Sequence, residues 1–62
     1  MEMNINVLKA RTMLGMVSEQ TSVDSMLLLE DSAFQSLITD YAHRLTVEDG
    51  ADRLTEYVNA NF

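Results

Sequence analysis

Three observations predict an all-α fold: apolar residues recurring every three or four positions, a polar break between two such stripes, and a capping sequence before a third. The stretch 33–45 is the clearest helix. There Phe34, Leu37, Ile38, Tyr41 and Leu45 fall on one side of a helical wheel, while Ser36, Thr39, Asp40 and His43 point away. The expected architecture is a small bundle of three to four short amphipathic helices, with a short N-terminal extended segment as an alternative start.

Taken in chain order, residues 7–18 form the first predicted helix. Val7, Ala10, Leu14 and Val17 recur at helical spacing, and Met13 widens the stripe. Gly15 inside it costs about 1 kcal/mol against Ala, or else marks a close contact with another helix. The preceding Met3-Asn4-Ile5-Asn6-Val7 alternates apolar and polar residues, which also suits a short strand.

Ser18 to Ser22 is polar and breaks the pattern, and either Ser22 or Asp24 can cap the next helix. Met26-Leu27-Leu28-Leu29 is apolar on every side and is expected to be the most deeply buried segment. Glu30-Asp31-Ser32 poses a choice. The acids either end one helix, with Ser32 capping another, or lie on a continuous helix, since Val23, Leu27, Phe34, Ile38, Tyr41 and Leu45 share one phase. Thr46-Val47-Glu48-Asp49 has the form of a capping box, with acids suited to the positive end of the helix dipole. The last helix should bury Val47, Ala51, Leu54 and Val58, with Tyr57 at the edge and residues 59–62 fraying unless Phe62 docks.

Sixty-two residues make one domain, 1–62, and so small a domain buries only about 60% of its unfolded surface. Such folds usually need a staple. Zero Cys remove disulfides and thiolate metal sites, and one His leaves only carboxylates as further ligands. With 47% hydrophobic residues and five Met, the remaining staple is another polypeptide, a second copy or a larger protein. The longest apolar run, Met26 to Leu29, is far short of the ~20 residues that span a bilayer. Met1 to Leu8 lacks the basic start and apolar block of a signal peptide. A cytoplasmic chain with no membrane contact is expected.

Ten acids against four bases give a net charge of −6, and only Lys9, Arg11, Arg44 and Arg53 could meet phosphates, which disfavours nucleic acid. Solubility or a basic protein partner suits that charge better. His43 has Asp40 one turn back but no nucleophile beside it, so it reads as a solvated side chain. The acids Glu30, Asp31, Asp40, Glu48, Asp49, Asp52 and Glu56 are spread along helices without the Asp-rich, Gly-containing loop of a calcium site. They make a solvated face or, more sharply, an imitation of a row of phosphates. No catalytic residue, cofactor or metal is expected.

The leading expectation is a non-catalytic interaction module: a small acidic regulator, inhibitor or adaptor. It would bury an apolar helix face formed by Val7, Leu14, Met16 and Val17, supported by Met26, Leu28 and Leu29. Met16 at the stripe's edge would add an adaptable contact.

Three resemblances suggest alternatives. Leu14-Gly15-Met16-Val17-Ser18 with Thr21-Ser22-Val23 resembles a helix-turn-helix, although its second helix would present Glu19, Gln20 and Asp24 to phosphates. With an N-terminal strand, Asn4 and Asn6 resemble the groove-reading strand of ribbon-helix-helix dimers. Asp24-Ser25-Met26-x-x-x-Glu30 is similar to the Asp-Ser-Leu-x-x-x-Glu segment of acyl carrier proteins, and Thr46-Val47-Glu48-Asp49 through Asn61 resembles their last helix. The carrier resemblance implies an acidic four-helix bundle, phosphopantetheine on Ser25, and Glu30 and Asp31 on the partner-facing helix. The chain departs from that family in having few residues before Ser25, Ser22 two residues before Asp24 where Gly is usual, and a short stretch from Ser25 to Thr46.

Overall fold

The computed structural model describes residues 4–62, which fold into four helices: α1 (Ile5–Thr21), α2 (Ser25–Glu30), α3 (Ser32–Arg44) and α4 (Val47–Asn61). The all-α expectation holds. Asn4 starts α1 by accepting the Asn6 N–H on its side chain at 2.9 Å, so residues 5–7 are helical, not extended. Met3, the first residue of the proposed strand, lies outside the described residues.

Helix α1 runs through Ser18 and stops at Ser22, whose φ of 60° is left-handed. The Ser18 hydroxyl donates to the Val23 carbonyl at 2.7 Å, and Thr21 accepts the Val23 N–H at 3.3 Å. The polar stretch therefore ties down the turn after α1 without ending the helix early. Asp24, not Ser22, caps α2 by accepting the Met26 N–H at 2.8 Å.

Asp31 settles whether residues 23–45 make one helix or two. Its backbone is extended, its N–H closes α2 on the Leu28 carbonyl, and its carboxylate accepts the Phe34 N–H at 3.0 Å to open α3. Ser32, the expected cap, is the first helical residue instead. A carboxylate suits that position because α3 begins with free N–H groups and a partial positive charge. At the far end Lys9 donates to the Leu45 carbonyl at 2.6 Å, a cation placed where the α3 dipole is negative.

Thr46 caps α4 as its sequence predicts, accepting the Asp49 N–H at 3.1 Å. The α4 helix holds to Asn61 although Phe62 stays half-exposed, with the Asn61 side chain bonded to the Tyr57 carbonyl at 2.8 Å. Residues 59–61, where the sequence predicts fraying unless Phe62 docks, are helical.

One core joins all four helices. It comprises Met13 and Val17 of α1, Leu28 of α2, Phe34, Ile38 and Ala42 of α3, and Ala51, Leu54 and Val58 of α4. Contacts between α1 and α4 advance together, from Met13 against Gly50 to Gln20 bonded to Thr55 at 3.0 Å, so these helices run parallel. Gly50 is buried, and a Cβ there would collide with Met13 Sδ and reach Tyr41 Cβ at 3.4 Å. The missing side chain lets α4 close on α1. Gly15 is exposed with nothing near it, so the close contact considered there is made at Gly50 instead.

Helix α2 packs on α1 and α3 and not on α4. Its tie to α4 is indirect: the Tyr57 hydroxyl donates to the Asp31 carboxylate at 3.1 Å.

Candidate functional site

The break at Asp31 changes which face of α2 turns inward. On a continuous helix, Leu27 would stand in phase with Phe34. With the chain bent at Asp31, Leu28 enters the core at 0% exposure, while Leu27 is 53% exposed and Met26 68%. Leu29 is exposed as well. The segment expected to be most deeply buried thus offers one side chain to the core and three to solvent.

At about 100° per residue, Leu29, Met26 and Leu27 sweep an arc of roughly 160° centred opposite Leu28. Glu30 stands four residues after Met26 and so falls on the same side. Asp24 and Glu30, both exposed, bracket the trio.

The residues expected to form one contact face are divided by the structure. Val17 and Leu28 are wholly buried in the core and are withdrawn from that face. Leu14 and Met16 are half-buried against the core. Val7 is exposed beside Ile5 and Leu8, but at the other end of α1, where Asn6 meets His43 and Lys9 meets Leu45. Only Met26 and Leu29 stand together in the open, joined by Leu27, which the sequence placed on the core stripe.

Ser25 is the first residue of a six-residue helix and is half-buried. Asp31 does not join a partner-facing helix as the carrier likeness implies, because its carboxylate is engaged by Phe34 N–H and Tyr57. The Tyr57 phenol is held above its usual value, first by desolvation, then by the bond to Asp31 and its negative charge. The helix-turn-helix likeness fails on geometry, since residues 14–18 lie within α1 and the turn comes at 22–24.

His43 is exposed, and its Nδ1 lies 3.0 Å from the Asn6 side-chain nitrogen. Asp40 pairs with Arg44 at 2.7 Å, not with His43. A groove of about 250 Å³ between Val7, Ala10, Ala42 and His43 also includes Thr39, whose hydroxyl is committed to the Gln35 carbonyl at 2.9 Å. A second hollow of about 410 Å³ is edged by Asp49, Asp52, Arg53 and Glu56 on the outer face of α4. Among the described residues, no three of His, Asp and Glu converge on a metal site, and no helix is long and apolar enough to cross a membrane. The chain matches no protein-family model, and comparison with curated proteins and with solved structures finds no significant match.

Proposed function

We propose that this chain is a non-catalytic protein–protein interaction module whose contact surface is the outer face of α2. The observation that carries the reading is the split within one short helix: Leu28 alone completes the core, and Met26, Leu27 and Leu29 remain in water. Full burial of such a side chain contributes about 1.5–3 kcal/mol, so covering three partly exposed ones could supply several kcal/mol to an association. The structural burden of α2 falls on Leu28 and Asp31, which leaves its outer residues free of a folding role. A reducing compartment such as the cytoplasm suits a chain without Cys.

Light scattering and partner capture test the reading with the intact chain and a Met26→Glu, Leu27→Glu variant. Both positions are exposed, so the variant should keep its circular dichroism and melting profile. A stoichiometric complex or dimer formed by the parent and lost in the variant supports the reading. A monomer that captures nothing, or a complex indifferent to the two charges, counts against it.

A second reading keeps one favourable observation: Ser25 opens a helix after Asp24 in an acidic four-helix chain, as the carrier likeness implies. Incubation with a phosphopantetheinyl transferase and coenzyme A tests it. A mass increase lost in Ser25→Ala would favour this reading over the first.

A further inference from the structure

We infer that the surface covering α2 is an amphipathic helix of another protein, with its apolar stripe flanked by Lys and Arg, and not a second copy of this chain. The inference rests on the interaction reading above and adds the chemistry of the partner.

The apolar arc of α2 does not stand alone. Glu30 lies on the same side as Met26, and Asp24 stands at the other end of the helix. Any surface that covers the trio also takes water from Glu30. A carboxylate desolvated without a positive partner opposes binding, whereas one met by Lys or Arg gains a charge-assisted hydrogen bond. No such group stands on α2 itself. No Lys or Arg occurs from Thr12 to His43, a stretch that includes all of α2 and nearly all of α3. Of the four bases, Lys9 is bound to the Leu45 carbonyl and Arg44 to Asp40, both at the far end of the bundle, while Arg11 stands on α1 and Arg53 on α4, which α2 does not touch.

A second copy meets this surface badly. A two-fold contact through α2 brings each Asp24 and Glu30 towards its counterparts, between chains that each carry −6. Duplex nucleic acid and anionic lipid are repelled by the same charges. An apolar stripe edged with bases satisfies both parts of the surface. The partner is expected to be helical because the trio forms a convex arc on a helix about 9 Å long, against which another helix can lie through ridge-and-groove packing.

The test displays helical peptides on yeast with a fixed Leu stripe and flanking positions coding for Lys, Gln or Glu. The fluorescently labelled full chain is the probe. Lys should be enriched over Glu by about tenfold or more, and binding should weaken as salt rises. Glu30→Gln should bind selected peptides with a reduced Lys preference, and Met26→Glu with Leu27→Glu should lose binding while keeping its helical spectrum. Enrichment with no charge preference overturns the partner's chemistry but leaves the interaction reading standing. So does a dimer of the parent chain that the double variant abolishes. If no peptide is enriched and the chain stays monomeric without captured partners, both the inference and the interaction reading fall.

Discussion

Helices α2 and α4 treat their apolar residues in opposite ways. Helix α4 buries Ala51, Leu54 and Val58 in one stripe and turns Glu48, Asp52, Arg53 and Glu56 outward, so its pattern is spent on the fold. Helix α2 has four apolar residues in succession and buries one. A surplus that cannot all face inward is left exposed. The contrast teaches that an unbroken apolar run on a short helix is weaker evidence of burial than a spaced one. A helix has one inner side, and a run of four wraps most of its circumference.

Truncating neighbouring residues on α2 separates its inner side from its outer side. Leu28→Ala should lose about 2–5 kcal/mol in urea unfolding, the range for a fully buried Leu, while Leu27→Ala should stay within about 0.5 kcal/mol. Equal losses would mean that α2 is not turned as described. Asp31→Ala comes next, with an expected loss of about 0.5–2 kcal/mol from the missing α3 cap, and it leaves the Tyr57 hydroxyl to water.

The two glycines extend the test to α1 and α4. Gly50→Ala should destabilise by about 1–2 kcal/mol, since the collision with buried Met13 outweighs the better helix propensity of Ala. Gly15→Ala, in open space, should stabilise by up to about 1 kcal/mol. Thermal melts of the pair should move in opposite directions. If both move the same way, the Met13 thioether shifts aside at little cost.

The smallest expected effect concerns pH. Because the Tyr57 pKa is raised in the folded chain, the folded state holds that proton more tightly than the unfolded one. This contribution is complete below the unfolded value of about 10 and is lost as pH rises through the higher folded value. Asp31→Asn retains a capping side chain but removes the charge, so phenolate absorbance should develop at lower pH in that variant. An unchanged titration would show that Asp31 does not act on Tyr57.

Several features were legible in the sequence because they are local. Thr46 predicted the start of α4, and the spacing of Phe34 and Ile38, then of Leu54 and Val58, predicted inward faces that the fold uses. Residues whose roles depend on distant partners were less legible. Asp31 looked like either a surface acid or an interruption, and nothing beside it announces that Tyr57, 26 residues on, would bond to it. Nothing in the local sequence marks Gly50 as the point where Met13 of α1 packs against α4. Of the residues expected on the contact face, Met26 and Leu29 are exposed, whereas Val17 and Leu28 lie in the core that α3 and α4 close over α1.

Composition and periodicity alone establish that this chain is acidic, helical and rich in apolar side chains for its size. Periodicity, capping and composition act over a turn or two of chain and need no partner to be read. Which of Leu27 and Leu28 faces inward depends on the packing of the helices, which buries Leu28 and leaves Met26, Leu27 and Leu29 exposed. That choice follows from the bend at Asp31, which closes α2, opens α3 and bonds to α4 through one carboxylated residue. A run of four apolar residues is compatible with several rotations of its helix, and the bend selects one.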